Sequence, residues 1–287
     1  GKYNSSKNDT QVNDTNKNNN LNNNSESKDN NTDNTPKEET LSLDDKTVTN
    51  LWGRKTNFHT TNKVTYSTLS DQRKLSADLN GLARKSFSNL DYKEVCAMLK
   101  NSGSTSLSSI YNDCISMQGK NASSGDLVGY YDLEEVKNNN IKFFNESSNL
   151  PKKYSYVNST SLKTDDTCGQ VVLSNDTYLS YDSSGGPDVL TKDTLVKAVK
   201  YGDELYIYDK FIIGVAEGSQ DDYIKYNFYN DDDITNKVTT YNFKEADNYS
   251  VEVNEILKYM KSFKHTYKLN SDGNYYWVSS EPVSNID

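Results

Sequence analysis

The spacing of apolar residues follows a helical pattern in the first half of the folded region. Leu75, Leu79 and Leu82 recur at intervals of four and three, and two further helical patterns cover residues 90–99 and 107–117. These spacings place several apolar side chains on one face of each segment. They predict helices over about residues 71–145.

From about residue 150 the pattern changes to alternation, with Tyr, Val, Ile and Thr frequent and turn residues between short runs. Gly202-Asp203 separates Val196–Tyr201 from Glu204–Ile213 and suits a type II′ hairpin turn, since glycine accepts a positive φ at the first loop position. A helix over Thr191–Tyr201, ended by Gly202, is an alternative. Otherwise an antiparallel sheet is predicted over about residues 150–285.

Helices followed by an antiparallel meander predict an α+β fold, in which N-terminal helices pack on a curved antiparallel sheet. Residues 1–45 are almost free of apolar side chains and cannot offset the entropy of ordering their backbone, so they predict a disordered low-complexity tether. Residues 46–70 predict a transitional arm or an edge strand. Residues 71–287 then form a single α+β domain.

The stretch NSDGNYYW, residues 270–277, has the beginning of a calcium-loop spacing. Asn270, Asp272 and Asn274 stand at positions 1, 3 and 5, and Glu281 at position 12. Such a loop needs glycine at position 6 for its sharp turn, and Tyr275 stands there. The stretch therefore predicts a hairpin turn.

Two registers are open to this hairpin. A two-residue loop pairs Leu269 with Tyr276, whereas a three-residue loop over Ser271–Gly273 pairs Leu269 with Tyr275 and Tyr267 with Trp277. The second register gathers one set of side chains on a single face: Phe263, His265, Tyr267, Leu269, Tyr275 and Trp277. Because a slip of one residue exchanges the faces, burial of this set favours the three-residue loop.

This aromatic face is predicted to meet either the helices or a ligand. The candidate ligand-binding residues are Tyr267, Trp277, Tyr275 and His265. Residues 263–268 and 271–281 together resemble the C-terminal hairpin of uncharacterised secreted lipoproteins of low-GC Gram-positive bacteria. That resemblance implies an NTF2-like or cystatin-like sheet wrapped around helices, and it assigns no activity.

Charge and composition limit the classes of partner that the protein is expected to bind. The net charge is -9, only three arginines occur, and none follows Arg84, so no concentrated basic face for nucleic acid is expected. The polar N-terminal segment is similar to the tether that follows the lipidated cysteine of such lipoproteins. It predicts a bacterial protein on the extracellular face of the cell membrane, attached only through an N-terminal lipid anchor. A plain tail in a cytosolic protein is the alternative.

Three cysteines are too few for a disulfide scaffold. Cys96 and Cys114 lie in neighbouring predicted helices and could pair, although separate buried thiols are the simpler interpretation. The stretch Asp165–Cys168 resembles the Thr-Cys of sortase transpeptidases. No arginine follows Cys168, and two aspartates beside it would raise the thiol pKa, so a sortase-like nucleophile is rejected.

The two histidines offer no recognisable catalytic or metal motif. His59 and His265 lie 206 positions apart, far from the i, i+4 spacing of a two-histidine zinc helix, and neither stands in an HExxH context. Glu134-Glu135 and Asp231–Asp233 are candidate acid pairs for a hydrolase, although acidic clusters usually lie in solvated loops. No catalytic residue, metal ligand or cofactor is predicted.

The function expected from these observations is that of an exported, membrane-tethered surface lipoprotein, a non-enzymatic binding or interaction module for an unknown extracellular ligand or envelope partner. One alternative is a structural envelope lipoprotein without a ligand. The other is a carboxylate-dependent hydrolase.

Overall fold

Two antiparallel sheets and a group of helices make up the part of the chain that the structure describes. The computed structural model describes residues 34–54, 58–87, 90–100, 111–116, 118, 127–147, 150–156, 169–182, 187–220 and 222–286. The predicted mixture of helices and antiparallel sheet is confirmed, and most of the ordered backbone is sheet. Among the described residues, no helix has the length and apolar composition needed to cross a membrane.

The elements alternate more than the sequence pattern predicts. The helices are α1 Lys46–Trp52, α2 Asp71–Leu79, α3 Tyr92–Lys100, α4 Tyr111–Ser116, α5 Leu133–Phe144 and α6 Asn254–Leu257. The strands are β1 Glu38–Leu41, β2 Val64–Thr65, β3 Leu127–Asp132, β4 Lys153–Tyr156, β5 Gly169–Ser174, β6 Thr177–Asp182, β7 Val189–Tyr201, β8 Glu204–Gln220, β9 Tyr223–Tyr229, β10 Lys237–Lys244, β11 Lys261–Leu269 and β12 Tyr275–Val283.

The long strand β8 organises the larger sheet, whose order is β1-β7-β8-β11-β12-β2. One edge of β8 pairs with β7 along most of its length. The other edge is shared: Glu204–Phe211 pair with β11, whereas residues 213–220 pair with β9, which in turn pairs with β10. The smaller sheet has the order β3-β6-β5-β4.

Local sequence signals explain where the helices begin and end. The Ser70 hydroxyl accepts a hydrogen bond from the Arg73 N–H and caps α2, and the Asp45 carboxylate accepts from the Thr47 and Val48 N–H groups and caps α1. Helix α5 ends at Asn145, which adopts the left-handed conformation with φ 56°.

The predicted helical half contains a strand that its apolar spacing did not reveal. Helices α2, α3 and α4 confirm the three helical patterns, and α5 lies within the predicted helical range of residues 71–145. Strand β3 lies between α4 and α5 and pairs with β6 in the smaller sheet. The alternative helix over Thr191–Tyr201 is wrong, since this segment belongs to β7. Tyr201 pairs with Glu204 across Gly202-Asp203, and only Gly202 of the two loop residues has a positive φ, as the type II′ turn requires.

The C-terminal hairpin has the predicted three-residue loop. Leu269 pairs with Tyr275 and Tyr267 with Trp277. Gly273 has φ 82°, and its N–H donates to the Asn270 carbonyl at 3.1 Å. A bulge between Thr266 and Tyr267 then shifts the register further along the two strands.

Two short strands within residues 34–70 belong to the larger sheet. Residues 38–41, which the sequence assigned to the tether, form β1 and pair with β7, with Leu41 opposite Ala198. In the arm, α1 is followed by β2, which pairs with β12 at the edge of the sheet. Residues 1–33 lie outside the described part of the chain.

Helix α5 lies between the two sheets and buries a different side against each. Phe143 and Phe144 pack into an apolar cluster with Trp277 of the larger sheet. Val136 packs with Val171 of the smaller sheet. A separate cluster, with Ile212, Tyr226, Phe228, Phe243, Val251 and Ile256, covers another part of the larger sheet.

A disulfide between Cys96 and Cys114 joins α3 to α4 inside the core of the smaller sheet. The interpretation of these residues as separate buried thiols is therefore wrong. The bond closes a loop with a sequence separation of 18. A loop of that size stabilises a fold by about 3 kcal/mol, chiefly by restricting the unfolded chain.

Two glycines of β8 provide a matched test of the packing. A Cβ at Gly214 would lie 2.4 Å from Cε1 of Phe228, its fully buried cross-strand partner, whereas a Cβ at Gly218 would meet nothing within 4 Å. We expect Gly214→Ala to lower the free energy of unfolding by about 1–3 kcal/mol through overpacking. Gly218→Ala should change it by less than about 0.5 kcal/mol. Urea denaturation measures both, and equal effects would contradict the packing described.

Candidate functional site

Asp209 is a charged residue on the buried face of β8. The residues that share this face alternate along the strand and are apolar and largely buried: Leu205, Ile207, Phe211 and Ile213. Asp209 is only 1% exposed. A carboxylate at this depth is costly unless it is paired and hydrogen-bonded, so its partners mark a site.

Both histidines of the chain contact this carboxylate. His59 Nε2 lies 2.8 Å from Oδ2 of Asp209, and His265 Nε2 lies 2.8 Å from Oδ1. The indole N–H of Trp52 also donates to Oδ2, at 3.3 Å. The group of His59, Asp209 and His265, with Trp52 beside it, is called the buried histidine cluster below.

His265 is held by its cross-strand partner. Its Nδ1 lies 2.7 Å from Oγ of Ser280, and the same oxygen accepts the indole N–H of Trp277 at 2.8 Å. A hydroxyl that accepts from the indole can donate its own hydrogen to Nδ1, which leaves the hydrogen of Nε2 for Asp209. The ring orientation is therefore fixed from both sides.

His59 comes from the arm and is held by the loop after β9. Its backbone N–H donates to Oδ2 of Asp232 at 2.8 Å, and the N–H of Asp232 donates to the His59 carbonyl at 2.7 Å. Arg73 of α2 in turn contacts Asp232 at 2.7 Å and Asp233 at 2.8 Å. The imidazole stacks on Phe211 with centroids 4.2 Å apart and an interplanar angle of 5°.

The electrostatics favour a charged histidine beside a charged carboxylate. Burial alone lowers the pKa of His59, but the carboxylates of Asp209, Asp193 and Asp232 outweigh it and raise the pKa to about 9. Burial alone raises the pKa of Asp209, but His265 and His59 outweigh it and hold the pKa well below the usual range. The second carboxylate, Oδ2 of Asp193 on β7, lies 3.7 Å from His59 Nε2.

This donor set is also one that metal ions use. One ligand atom each from His59, Asp209 and His265 can be chosen so that all three lie within 4.8 Å of one another. The spacing of the histidines argued against a metal site because the zinc motif requires two histidines on one helix. The sheet instead brings together residues from distant parts of the chain. The one sequence signal was Asp209 itself, an acidic residue in an otherwise apolar alternating row.

The predicted ligand-binding residues lie on the face that packs against the helices. Trp277 and Tyr267 are buried, and the Trp277 ring lies 4.7 Å from Phe58 and 5.6 Å from Phe144, centroid to centroid. His265 belongs to the buried histidine cluster, and Tyr275 is half-buried. The aromatic face thus meets the helices, and ligand binding by these four side chains stays a prediction.

In the ranges that the structure describes, three of the five candidate hydrolase acids, Glu135, Asp232 and Asp233, make ion pairs. Arg73 binds Asp232 and Asp233, and Lys85 binds Glu135 at 2.5 Å. These contacts connect separate segments of the chain. The stretch 165–168, considered for a sortase-like nucleophile, lies outside the described residues.

A polar recess opens among α1, α5 and the loop after α2. It has a volume of about 380 Å³, and its lining residues are Thr49, Asn50, Gly53, Arg54, Asn80, Gly81 and Asn139. The Arg54 guanidinium carbon lies 4.1 Å from the centroid of the Phe143 ring, and Nη2 donates to the Ala77 carbonyl at 3.4 Å. The Nε group of Arg54 has no hydrogen-bond partner among the described residues.

Asp78, which precedes the recess residues Asn80 and Gly81 in the sequence, is fully buried. Neither carboxylate oxygen has a hydrogen-bond partner in the described part of the chain. Burial raises the pKa of Asp78 to about 8, and the opposing effects of Arg54 and Lys74 do not cancel the rise. A protonated Asp78 leaves the positive charge of Arg54 for other partners at neutral pH.

The chain matches no protein-family model, no curated protein sequence and no solved structure. The geometry of the buried histidine cluster and of the polar recess is therefore the basis for inferring a function.

The raised pKa of His59 predicts a specific pH dependence of stability. A pKa that rises from 6.5 to about 9 on folding contributes stability that is fully present below pH 6.5 and is lost as the pH rises to 9. We expect His59→Phe, which retains a ring on Phe211, to lower the unfolding free energy by about 3 kcal/mol at pH 6 and by much less at pH 9. Urea denaturation of chelator-treated protein across this range measures the difference. A difference that stays constant with pH would contradict a charged His59.

Proposed function

We propose that the protein is an exported module, tethered at the cell surface, which acts by binding a small ligand rather than by catalysis. The polar recess at Arg54 is the observation that carries this proposal. Its volume lies within the range of small-ligand pockets, about 300–1,000 Å³. Its lining combines a guanidinium group with asparagine side chains from three separate segments.

The lining favours a ligand that carries a carboxylate. Among the described residues, Arg54 makes no ion pair with a carboxylate, and its buried Nε has no hydrogen-bond partner. A guanidinium and a carboxylate match in charge and in planar geometry. Asn50 and Asn80 add amide groups that can donate to or accept from the rest of the ligand.

The state of the histidines supports binding over catalysis. A general base must reach a proton on the substrate, and an exposed or pocket-lining histidine is the commonest choice. His59 and His265 are 3% and 6% exposed, and both are engaged with Asp209. Both histidines therefore support the core and have little access to solvent.

The disulfide supports export. Disulfides persist in oxidising compartments and are rare in the cytosol of most organisms. The bond between Cys96 and Cys114 therefore fits a protein that lies outside the cytoplasm. The polar composition of residues 1–33 fits a tether, and it leads into β1 at the edge of the larger sheet. A lipid anchor on the extracellular face of the membrane completes this proposal.

The proposal includes an NTF2-like or cystatin-like fold for the domain. An NTF2-like or cystatin-like domain places helices against one face of a curved sheet. The packing of α5 against the larger sheet supports such an arrangement, with the smaller sheet as an addition on the far side of the helix.

A structural envelope role without a ligand is the second candidate function. It is favoured by the aromatic face of the larger sheet, where Phe58, Phe143 and Phe144 fill the space beside Trp277. Ligand titration of the recess separates the two candidates.

Export predicts the redox state of the cysteines in cells. Because Cys96 and Cys114 are both fully buried, the protein is unfolded in denaturant before alkylation. We expect Cys96 and Cys114 in protein recovered from the producing bacterium to react with an alkylating reagent only after reduction, as read by mass spectrometry. The same chain made in a reducing cytosol serves as the control and should be alkylated directly. A membrane-impermeant amine reagent added to intact cells should also label lysines of the tail. Reduced thiols together with protected tail lysines would overturn the export proposal.

The recess predicts selective binding of carboxylates. We expect succinate to shift the Nε–H signal of Arg54 and the side-chain amide signal of Asn139 in ¹⁵N-resolved NMR spectra, whereas the neutral succinamide should have a much weaker effect. Asn50→Asp adds a negative charge to the exposed wall of the recess and should weaken succinate binding about ten-fold or more, while the fold is retained. Asn50→Gln is the matched control. Absence of any saturable shift would favour the structural role.

A further inference from the structure

The buried histidine cluster has the composition and arrangement of a metal-ion site. We propose that His59, His265, Asp209 and Asp193 bind one divalent transition-metal ion, with zinc as the best fit. The inference is independent of the recess at Arg54 and of the cellular location of the protein.

The donor atoms decide the class of ion. Two imidazole nitrogens and one carboxylate oxygen converge from the arm, β11 and β8. The carboxylate of Asp193 on β7 lies beside His59 and is the nearest further donor to that ring. Calcium and magnesium prefer sites built from oxygen atoms, whereas imidazole suits zinc and its neighbours among the transition metals. With Asp193 as the fourth donor, the set would match the four-coordinate, closed arrangement of structural zinc sites.

The distances require only small movements. In a tetrahedral zinc site with bonds of about 2.0–2.1 Å, the ligand atoms lie about 3.3 Å from one another. Each histidine Nε2 now lies 2.8 Å from a different oxygen of Asp209, so each ring would withdraw from its own oxygen by about half an ångström to admit an ion. Asp193 Oδ2, at 3.7 Å from His59 Nε2, already lies close to a ligand-to-ligand separation.

The surroundings orient the donors toward the common point. Metal-bound histidines usually engage their second ring nitrogen with a protein partner, which fixes the tautomer and the ring direction. On binding an ion through Nε2, His265 would carry its hydrogen on Nδ1 and donate it to Oγ of Ser280, which also accepts the Trp277 indole N–H. Trp52 supports the Asp209 carboxylate in the same way.

The charge balance favours a dication. The single positive charge of Arg73 is already paired with Asp232 and Asp233. Asp209 and Asp193 bring two further negative charges next to the histidines, where Asp209 is 1% exposed. A divalent ion bound by neutral imidazoles would balance both carboxylates and replace the proton that links His59 to Asp209.

The ion would have a structural task. The cluster is buried, and the donors come from the arm and from three strands of the larger sheet. Zinc would therefore fasten residues 58–60 to the sheet and, through Asp232 and Arg73, to α2.

Zinc binding by chelator-treated protein tests the proposal. After incubation with excess ZnCl₂ and gel filtration, we expect elemental analysis to find one zinc ion per chain. Substitution by Co²⁺ should give the visible absorption bands of a tetrahedral site with nitrogen and oxygen ligands. A chain that returns zinc-free and shows no such bands would overturn the proposal, and the cluster would then be a hydrogen-bonded network alone.

Two substitutions of aspartate by asparagine test the donor set. We expect Asp193→Asn to weaken zinc binding by more than about ten-fold in a competition titration with a chromogenic chelator. Asp188→Asn removes the same charge from an exposed residue just before β7 and should bind zinc like the unchanged protein. His265→Gln should abolish binding, but its fold must first be verified by circular dichroism. Equal affinities of the two asparagine variants would overturn the assignment of Asp193.

Discussion

The carboxylate of Asp209, in the apolar interior, is the constraint on which much of the structure depends. Moving a carboxylate out of water costs several kcal/mol, and the cost is recovered only when good partners surround it. Trp52, His59 and His265 provide those partners from α1, the arm and β11. A single residue of β8 thereby contacts two parts of the chain that are distant from it in sequence, the arm and β11.

The requirement for charge pairing extends beyond Asp209. The backbone of His59 binds Asp232, and Arg73 then connects Asp232 and Asp233 to α2. The acidic loop after β9 is therefore an integral part of the core, although acidic runs usually lie in solvent. These polar contacts favour one placement of the arm on the larger sheet, because a shift would separate His59 from Asp232.

The aromatic core and the polar recess proposed to bind a ligand occupy different parts of the molecule, and helix α5 contributes residues to both. The aromatic residues of the larger sheet pack with Phe58 and with Phe143 and Phe144 of α5, so this face serves as core. The polar recess lies at the outer side of the same helices. Trp52 reaches the buried histidine cluster and Arg54, two residues later, lines the recess. Movement at the end of α1 would therefore affect both sites.

Much of the local structure followed from the sequence by itself. Alternation predicted the strands of the C-terminal half, and the demand that one face be buried selected the hairpin register that pairs Tyr267 with Trp277. Glycine at positions 202 and 273 predicted the two turns. These features depend on neighbours in the chain, which a sequence displays directly.

Only the tertiary structure decided which distant residues meet. The pairing of Cys96 with Cys114, the strand β3 among the helices and the burial of Asp232 depend on how segments pack rather than on any local period. The same holds for the buried histidine cluster, in which residues 59, 209 and 265 converge. Local propensity determines elements, whereas the need to bury apolar faces and to satisfy each buried charge determines which elements come together.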